Sequence, residues 1–208
     1  NMNGKADNKR ALQAMLGLIV DENIPIISMI TRLTSQKGLD LVTYVLEEIL
    51  SLNVQFIVMG TGESQYENIF RSAASRYPGK MAANIYYDNT MAHRIYAGSD
   101  ILLMPSLFEP CGLAQLFAMK YGTIPIVRET GGLKDTVTPY NEFTDTGNGF
   151  SFSNYNANDM LYTIKRAIQF YHKKDSWKKI IKRSMSCDYS WNKSAREYIE
   201  IYSKLIGR

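Results

Sequence analysis

The chain has 208 residues, 45% of them apolar and 21% charged. That globular composition excludes disorder and allows one large domain with a sizeable core. Twenty-four Lys and Arg against 20 Asp and Glu give a net charge of +4 without a basic stripe, so nucleic acid is not an expected partner. The two cysteines, Cys111 and Cys187, show no metal or redox spacing and point to a reducing, cytoplasmic setting. The first twenty residues lack the apolar stretch of a signal peptide, and no run approaches the length of a membrane span, so no membrane is expected.

Along the chain, short apolar runs alternate with longer amphipathic ones. Residues 25–30 read as a buried strand. The spacing of Leu39, Val42, Val45, Leu46, Ile49 and Leu50 then predicts a helix. Residues 54–59 read as the second strand, Gly60-Thr61-Gly62 as a turn, and 65–77 as a helix stopped by Pro78-Gly79. The unit repeats with a strand over 83–87, a helix over 90–97, a strand over 101–105, a helix over 112–121 and a strand over 124–127. A sixth strand is expected over 149–152. This alternation implies parallel βαβ units, so the expected fold class is α/β, a Rossmann-like doubly wound parallel sheet of about six strands with a core over about 22–153. From about 156 to 208 the pattern is helical only. Asn156 with Asp159 resembles a capping box, a second helix is expected over 176–185, and Ser190 caps a third. On this last helix Trp191, Ala195, Tyr198, Ile201, Tyr202 and Leu205 form one stripe, read first as core packing and second as a docking face. Thr138 to Gly149 is the long polar loop.

Ligands of such sheets bind beyond the carboxyl ends of the strands. After the first strand come Arg32 and Lys37, with Gly38 opening a helix. Two cations there suit a diphosphate, and the alternative is a pair of solvated surface cations. After the fourth strand, Pro105, Ser106, Glu109, Cys111, Gly112 and Leu113 bring a carboxylate and free helix N–H groups toward one point, where a sugar would fit. The alternative for Glu109 is a helix-capping acid. After the fifth strand Thr130, Gly131 and Gly132 offer a third glycine loop or a plain turn. The chain carries no nicotinamide or flavin fingerprint and no D-x-D motif, so neither cofactor nor metal is expected. Cys111 lacks a nearby histidine, and His93 and His172 have no metal spacing.

Several of these segments together resemble bacterial glycogen synthases and plant starch synthases. They are Thr31-Arg32-Leu33-Thr34-Ser35-Gln36-Lys37-Gly38-Leu39-Asp40, Pro105-Ser106 with Phe108-Glu109-Pro110-Cys111-Gly112-Leu113, Tyr121-Gly122-Thr123, and Thr130-Gly131-Gly132-Leu133-Lys134-Asp135-Thr136-Val137. The resemblance also takes in Asn8-Lys9 with Leu12-Gln13 and Asp188-Tyr189-Ser190-Trp191. It implies the C-terminal, nucleotide-sugar-binding half of a GT-B retaining glycosyltransferase, with residues 1–208 as that single domain and the N-terminal acceptor domain absent. The implied partners are ADP-glucose and an α-1,4-glucan. By the same resemblance Arg32 and Lys37 hold the diphosphate, Glu109 binds the glucose hydroxyls, and Cys111, Gly112 and Leu113 supply backbone contacts. Tyr87 matches a position beside the adenine. Many GT-B enzymes carry a second Glu eight residues after the first, where this chain has Phe117. The chain is expected to be inactive alone and cytoplasmic, or plastidial if from a plant. The alternatives are a UDP-glucose-using sucrose- or trehalose-type transferase and a non-catalytic nucleotide- or glucan-binding module.

Overall fold

The computed structural model describes residues 2–207, and the side chains of residues 2 and 3 are outside the description. Helix α1 (Met2–Met15) is followed by β1 (Ile26–Ile30), a 3₁₀ turn (Ser35–Lys37), α2 (Leu39–Tyr44), α3 (Leu46–Ser51), β2 (Gln55–Met59), α4 (Ser64–Arg76) and β3 (Met81–Asn84). Then come α5 (Asn89–Gly98), β4 (Ile101–Met104), α6 (Ala114–Lys120), β5 (Ile124–Arg128), α7 (Gly131–Thr136), β6 (Phe150–Phe152), α8 (Ala157–His172), α9 (Lys174–Ser186) and α10 (Trp191–Leu205). The six strands form one parallel sheet in the order β3-β2-β1-β4-β5-β6.

Alternation along the strands builds two cores. Ile27, Met29, Phe56, Val58, Ile101 and Leu103 face a core that includes Val42, Ile49, Phe70, Ile164 and Ile180. Ile26, Ile57, Met59 and Leu102 face the other way, onto Leu12, Ala92, Ile95 and Ala118. Side chains two apart share a face of a strand, so an apolar run with no alternation is required when both faces are covered. The chain leaves β1 toward β2 on one side and returns through α5 to β4 on the other. The β1–β4 boundary is therefore the switch point, where the following loops diverge and leave a crevice.

Several elements depart from expectation. Helix α1 carries no apolar stripe strong enough to announce itself. Besides buried Leu12, it is fixed by buried polar contacts: Lys9 pairs with Asp100 at 2.8 Å and reaches the Tyr171 hydroxyl. The expected helix from Leu39 to Leu50 is two, broken at Val45 (φ −113°, ψ 22°), a break that keeps Val45, Leu46, Ile49 and Leu50 buried. The third strand ends at Asn84 rather than 87, because its one neighbour, β2, stops at Met59 and leaves Tyr86 and Tyr87 nothing to pair with. The glycine segment after β5 opens the short helix α7 instead of a plain turn. On α10 the stripe is not core: Trp191, Ala195, Tyr198, Ile201, Tyr202 and Leu205 are all exposed, and the helix buries no residue. Amphipathic spacing fixed the helix but not a partner for it.

Candidate donor site at the switch point

The β1 and β4 loops meet above the sheet. Gly38 adopts φ +73°, and a Cβ there would fall 2.2 Å from the Pro105 carbonyl oxygen, so only glycine lets the two loops pack this closely. The Leu107 N–H donates to the Gln36 carbonyl at 2.9 Å, which fixes their register. The β2 loop supports the β1 loop from its other side. Leu33 N–H donates to Thr61 O at 2.9 Å, and Glu63 Oε1 accepts from the Ser35 N–H at 3.1 Å.

This packing joins Lys37 to Glu109. The Lys37 ammonium ion-pairs with Glu109 Oε2, and the two side chains are only 15% and 13% exposed. Buried Ser106 points its hydroxyl at the same oxygen, 3.4 Å away. Lys37 is therefore not a solvated cation. Arg32 is: it is exposed and has no ion pair or side-chain hydrogen bond among the described residues. Glu109 does not cap α6, which has no side-chain cap at all.

The N–H groups of Gly112 and Leu113, just ahead of α6, have no acceptor among the described residues, so a polar ligand has donors to meet there. Cys111 is an exposed free thiol beside them. Gly131 and Gly132 also serve packing. A Cβ on Gly131 would lie 2.2 Å from the Glu109 carbonyl oxygen, and one on Gly132 would lie 2.1 Å from that of Cys111. The Gly132 N–H already donates to Glu109 O at 3.2 Å and Pro110 O at 3.0 Å. These glycines seat the Glu109 loop on α7, with Thr130 in the extended cap position, and the Gly132 amide is not free for a ligand.

Tyr87 stands apart. It is 67% exposed beyond β3, two strands from β1, which is roughly 10 Å at ordinary strand spacing. Phe117 is 45% exposed and packs in an aromatic cluster, 6.3 Å from His93 and 6.1 Å from Tyr96 between ring centroids. It offers no carboxylate to a ribose.

Two supporting residues escaped the sequence reading. Gln115 is fully buried, and its Nε2 donates to Cys111 O, Gly112 O and Thr136 Oγ1 at 2.9–3.2 Å, holding the turn into α6. Arg128, the last residue of β5, donates from Nε to Ser106 O at 2.8 Å, from Nη2 to Leu107 O and from Nη1 to Ser153 O at 3.4 Å. Only its place at the carboxyl end of a central strand hinted at this.

The face is open rather than enclosed. The recess beneath Lys37 and Ser106 holds about 10 Å³. Larger hollows lie elsewhere: about 330 Å³ around Lys5, Lys9, Asp100 and Trp177 at the opposite end of the strands, and about 650 Å³ between α1 and α5. Among the described residues there is no cluster of three or more His, Cys, Asp or Glu able to hold a metal, and no helix long and apolar enough to cross a membrane.

The profile of a family described as "Glycosyl transferases group 1" matches residues 18–184. A glycogen synthase of Desulforamulus reducens is 57% identical over 199 residues, covering 96% of this chain and 42% of that protein. One from Clostridium novyi (strain NT) is 55% identical over 208 residues, covering 100% and 43%. The catalytic domain of starch synthase IV from Arabidopsis thaliana, solved bound to ADP and acarbose, shares the fold at a TM-score of 0.89. It is 36% identical and covers all of this chain and 44% of that one. Sucrose-phosphate synthase from Thermosynechococcus elongatus shares the fold alone, at 21% identity and a TM-score of 0.69, covering 94% of this chain and 48% of that one. The chain spans less than half the length of these glycogen and starch synthase relatives.

Proposed function

The chain belongs to the group 1 glycosyl transferases, and from that premise we propose that it is the donor-binding half of a glucan synthase. In this reading it takes glucose from ADP-glucose to the nonreducing end of an α-1,4-glucan, in the cytoplasm, and the further length seen in its relatives supplies the acceptor wall. The observation that carries it is the pairing of Lys37 with Glu109 beside two unpaired amides at the switch point.

Each group has a task that its chemistry allows. Lys37 and the unpaired Arg32 bind the diphosphate and stabilise the charge that grows on it as the glycosyl bond breaks. Glu109 accepts hydrogen bonds from glucose hydroxyls, with the Gly112 and Leu113 N–H groups donating to sugar or phosphate oxygens. Tyr87 offers an exposed ring on which the base can stack. Glu109 enters already paired with a cation, which suits it to binding rather than to nucleophilic attack. Retention then proceeds by same-face attack through an ion-pair-like transition state, and the departing phosphate takes the acceptor's proton.

The homology of the starch synthase IV domain, whose structure holds ADP and acarbose, supports an adenine nucleotide and a glucan. The sucrose- and trehalose-type neighbours, 21% and 14% identical, carry only the fold. Calorimetry of the chain with ADP, UDP and maltooligosaccharides tests the reading. ADP binding at least tenfold tighter than UDP is expected. A preference for UDP transfers the chain to the other donor class, and absence of any nucleotide binding overturns the proposal.

A further inference from the structure

We propose that Arg128 is a positioning residue for the donor site. Acting through Tyr155 and Asp40, it ties the loop carrying Glu109 to the loop carrying Lys37. This rests on the donor-site reading above and adds to it the device that keeps the two charged groups in register.

The connection is continuous. The Arg128 guanidinium donates to three carbonyls: Ser106 and Leu107, just ahead of Glu109, and Ser153, beyond β6. Glu129 secures the last of these segments by accepting from Ser151 Oγ at 2.8 Å and Ser153 Oγ at 3.0 Å. The guanidinium lies 5.6 Å from the centre of the Tyr155 ring. The Tyr155 hydroxyl in turn donates to Asp40 Oδ1 at 2.6 Å and lies 3.4 Å from the Ser35 carbonyl oxygen. Ser35 opens the 3₁₀ turn that ends at Lys37, and Asp40 sits in the first turn of α2. Burial, and then the hydrogen bond to Asp40, push the Tyr155 hydroxyl well above its ordinary pKa, so it stays a donor throughout the working pH range.

The geometry requires arginine. Two adjacent carbonyls and a third on another segment are met by a planar fork whose face also covers an aromatic ring, and an ammonium cannot reproduce that arrangement. Three of its five N–H donors already serve backbone oxygens, which fixes the guanidinium to the loop segments it places. A misplacement of about 1 Å in such groups is enough to cost a large factor in binding or rate.

The test uses Arg128→Lys, Tyr155→Phe and the double variant in the 208-residue chain, reading ADP affinity by calorimetry and hydrogen exchange by mass spectrometry, with thermal melting alongside. Arg128→Lys keeps the charge and loses the fork, and is expected to weaken ADP binding about tenfold, the worth of one charge-assisted hydrogen bond. Tyr155→Phe removes only the half-buried hydroxyl that bonds Asp40 and is expected to cost about threefold. The double variant should bind no more weakly than Arg128→Lys, because both act through one chain of contacts. Segments 32–40 and 105–113 should exchange faster in both variants, with 26–30 and 101–104 unchanged. Unchanged exchange in both loops, full affinity in Arg128→Lys, or additive losses would overturn the proposal. If the wild-type chain binds no ADP, the donor-site reading fails, while the exchange data still decide whether the brace exists.

Discussion

Replacing Glu109 by Gln separates the sugar subsite from the nucleotide subsite. Without donor, the Lys37 ammonium is held by Glu109 Oε2. A diphosphate oxygen bound to the same ammonium would lie roughly 5 Å from the carboxylate, since two acceptors each about 2.8 Å from one nitrogen cannot sit much closer. Two like charges at that distance repel by about 1 kcal/mol under water-like screening and by about 3 kcal/mol at an effective dielectric near 20. The two side chains are only 15% and 13% exposed beneath an open face, so the repulsion lies between these limits, and Glu109→Gln should tighten ADP binding by at least about fivefold. The same change strips the charge from the acceptor of the glucose hydroxyls. A hydrogen bond to a charged group is worth about 1.5–3 kcal/mol, so transfer from ADP-glucose in the longer enzyme should fall roughly 10- to 100-fold. Calorimetry on the chain and turnover in the longer enzyme read the two effects separately. A tenfold loss of ADP affinity in Glu109→Gln would place the carboxylate on the nucleotide side and refute the assignment.

In the longer enzyme, Arg32→Ala and Lys37→Ala should each lower kcat as well as raise KM, by about 2–5 kcal/mol in all, because the charge they meet grows in the transition state. A change in KM alone would make them plain binding groups. The 208-residue chain by itself should transfer no glucose from ADP-glucose to glycogen, since the site needs two walls to exclude water; turnover above a Glu109→Ala control would contradict this. Finally, burial lowers the Lys5 ammonium to a pKa of about 8 where it contacts the Ser99 carbonyl and the Thr123 hydroxyl. The unfolded chain therefore holds a proton there that the folded chain has lost, and stability should rise by about 2 kcal/mol from pH 8 to 9.5. Chemical denaturation across that range checks the slope, which Lys5→Met should flatten.

Local pattern made the sheet legible and left its exceptions hidden for one reason. Runs such as Ile26–Ile30 and Gln55–Met59 are apolar but for buried Ser28 and Gln55, because both of their faces are covered, and that requirement is written in the run itself. The end of β3 is not written there: Tyr86 and Tyr87 suit a strand, and only the end of β2 leaves them unpaired. The exposed stripe of α10 has the spacing of a core helix, and spacing cannot say what, if anything, lies opposite. The site divides in the same way. Residues with unusual chemistry in a loop after a strand, Arg32, Lys37 and Glu109, could be picked out one at a time. For two of them the alternatives were removed by a contact across a long separation: Lys37 and Glu109 are 72 residues apart, and their pairing rules out a solvated Lys37 and a capping Glu109, while Arg32 stays solvated. Gly131 and Gly132 had the form of a ligand loop, yet each lies against the backbone of Glu109–Cys111, a contact that no local pattern encodes. Arg128 was missed for the converse reason. A single arginine ending a strand carries no motif, and its role exists only because three carbonyls from two other segments converge on it. Sequence therefore exposed the groups proposed to face the ligand, whereas the groups that hold their loops in place became visible only once those loops were assembled.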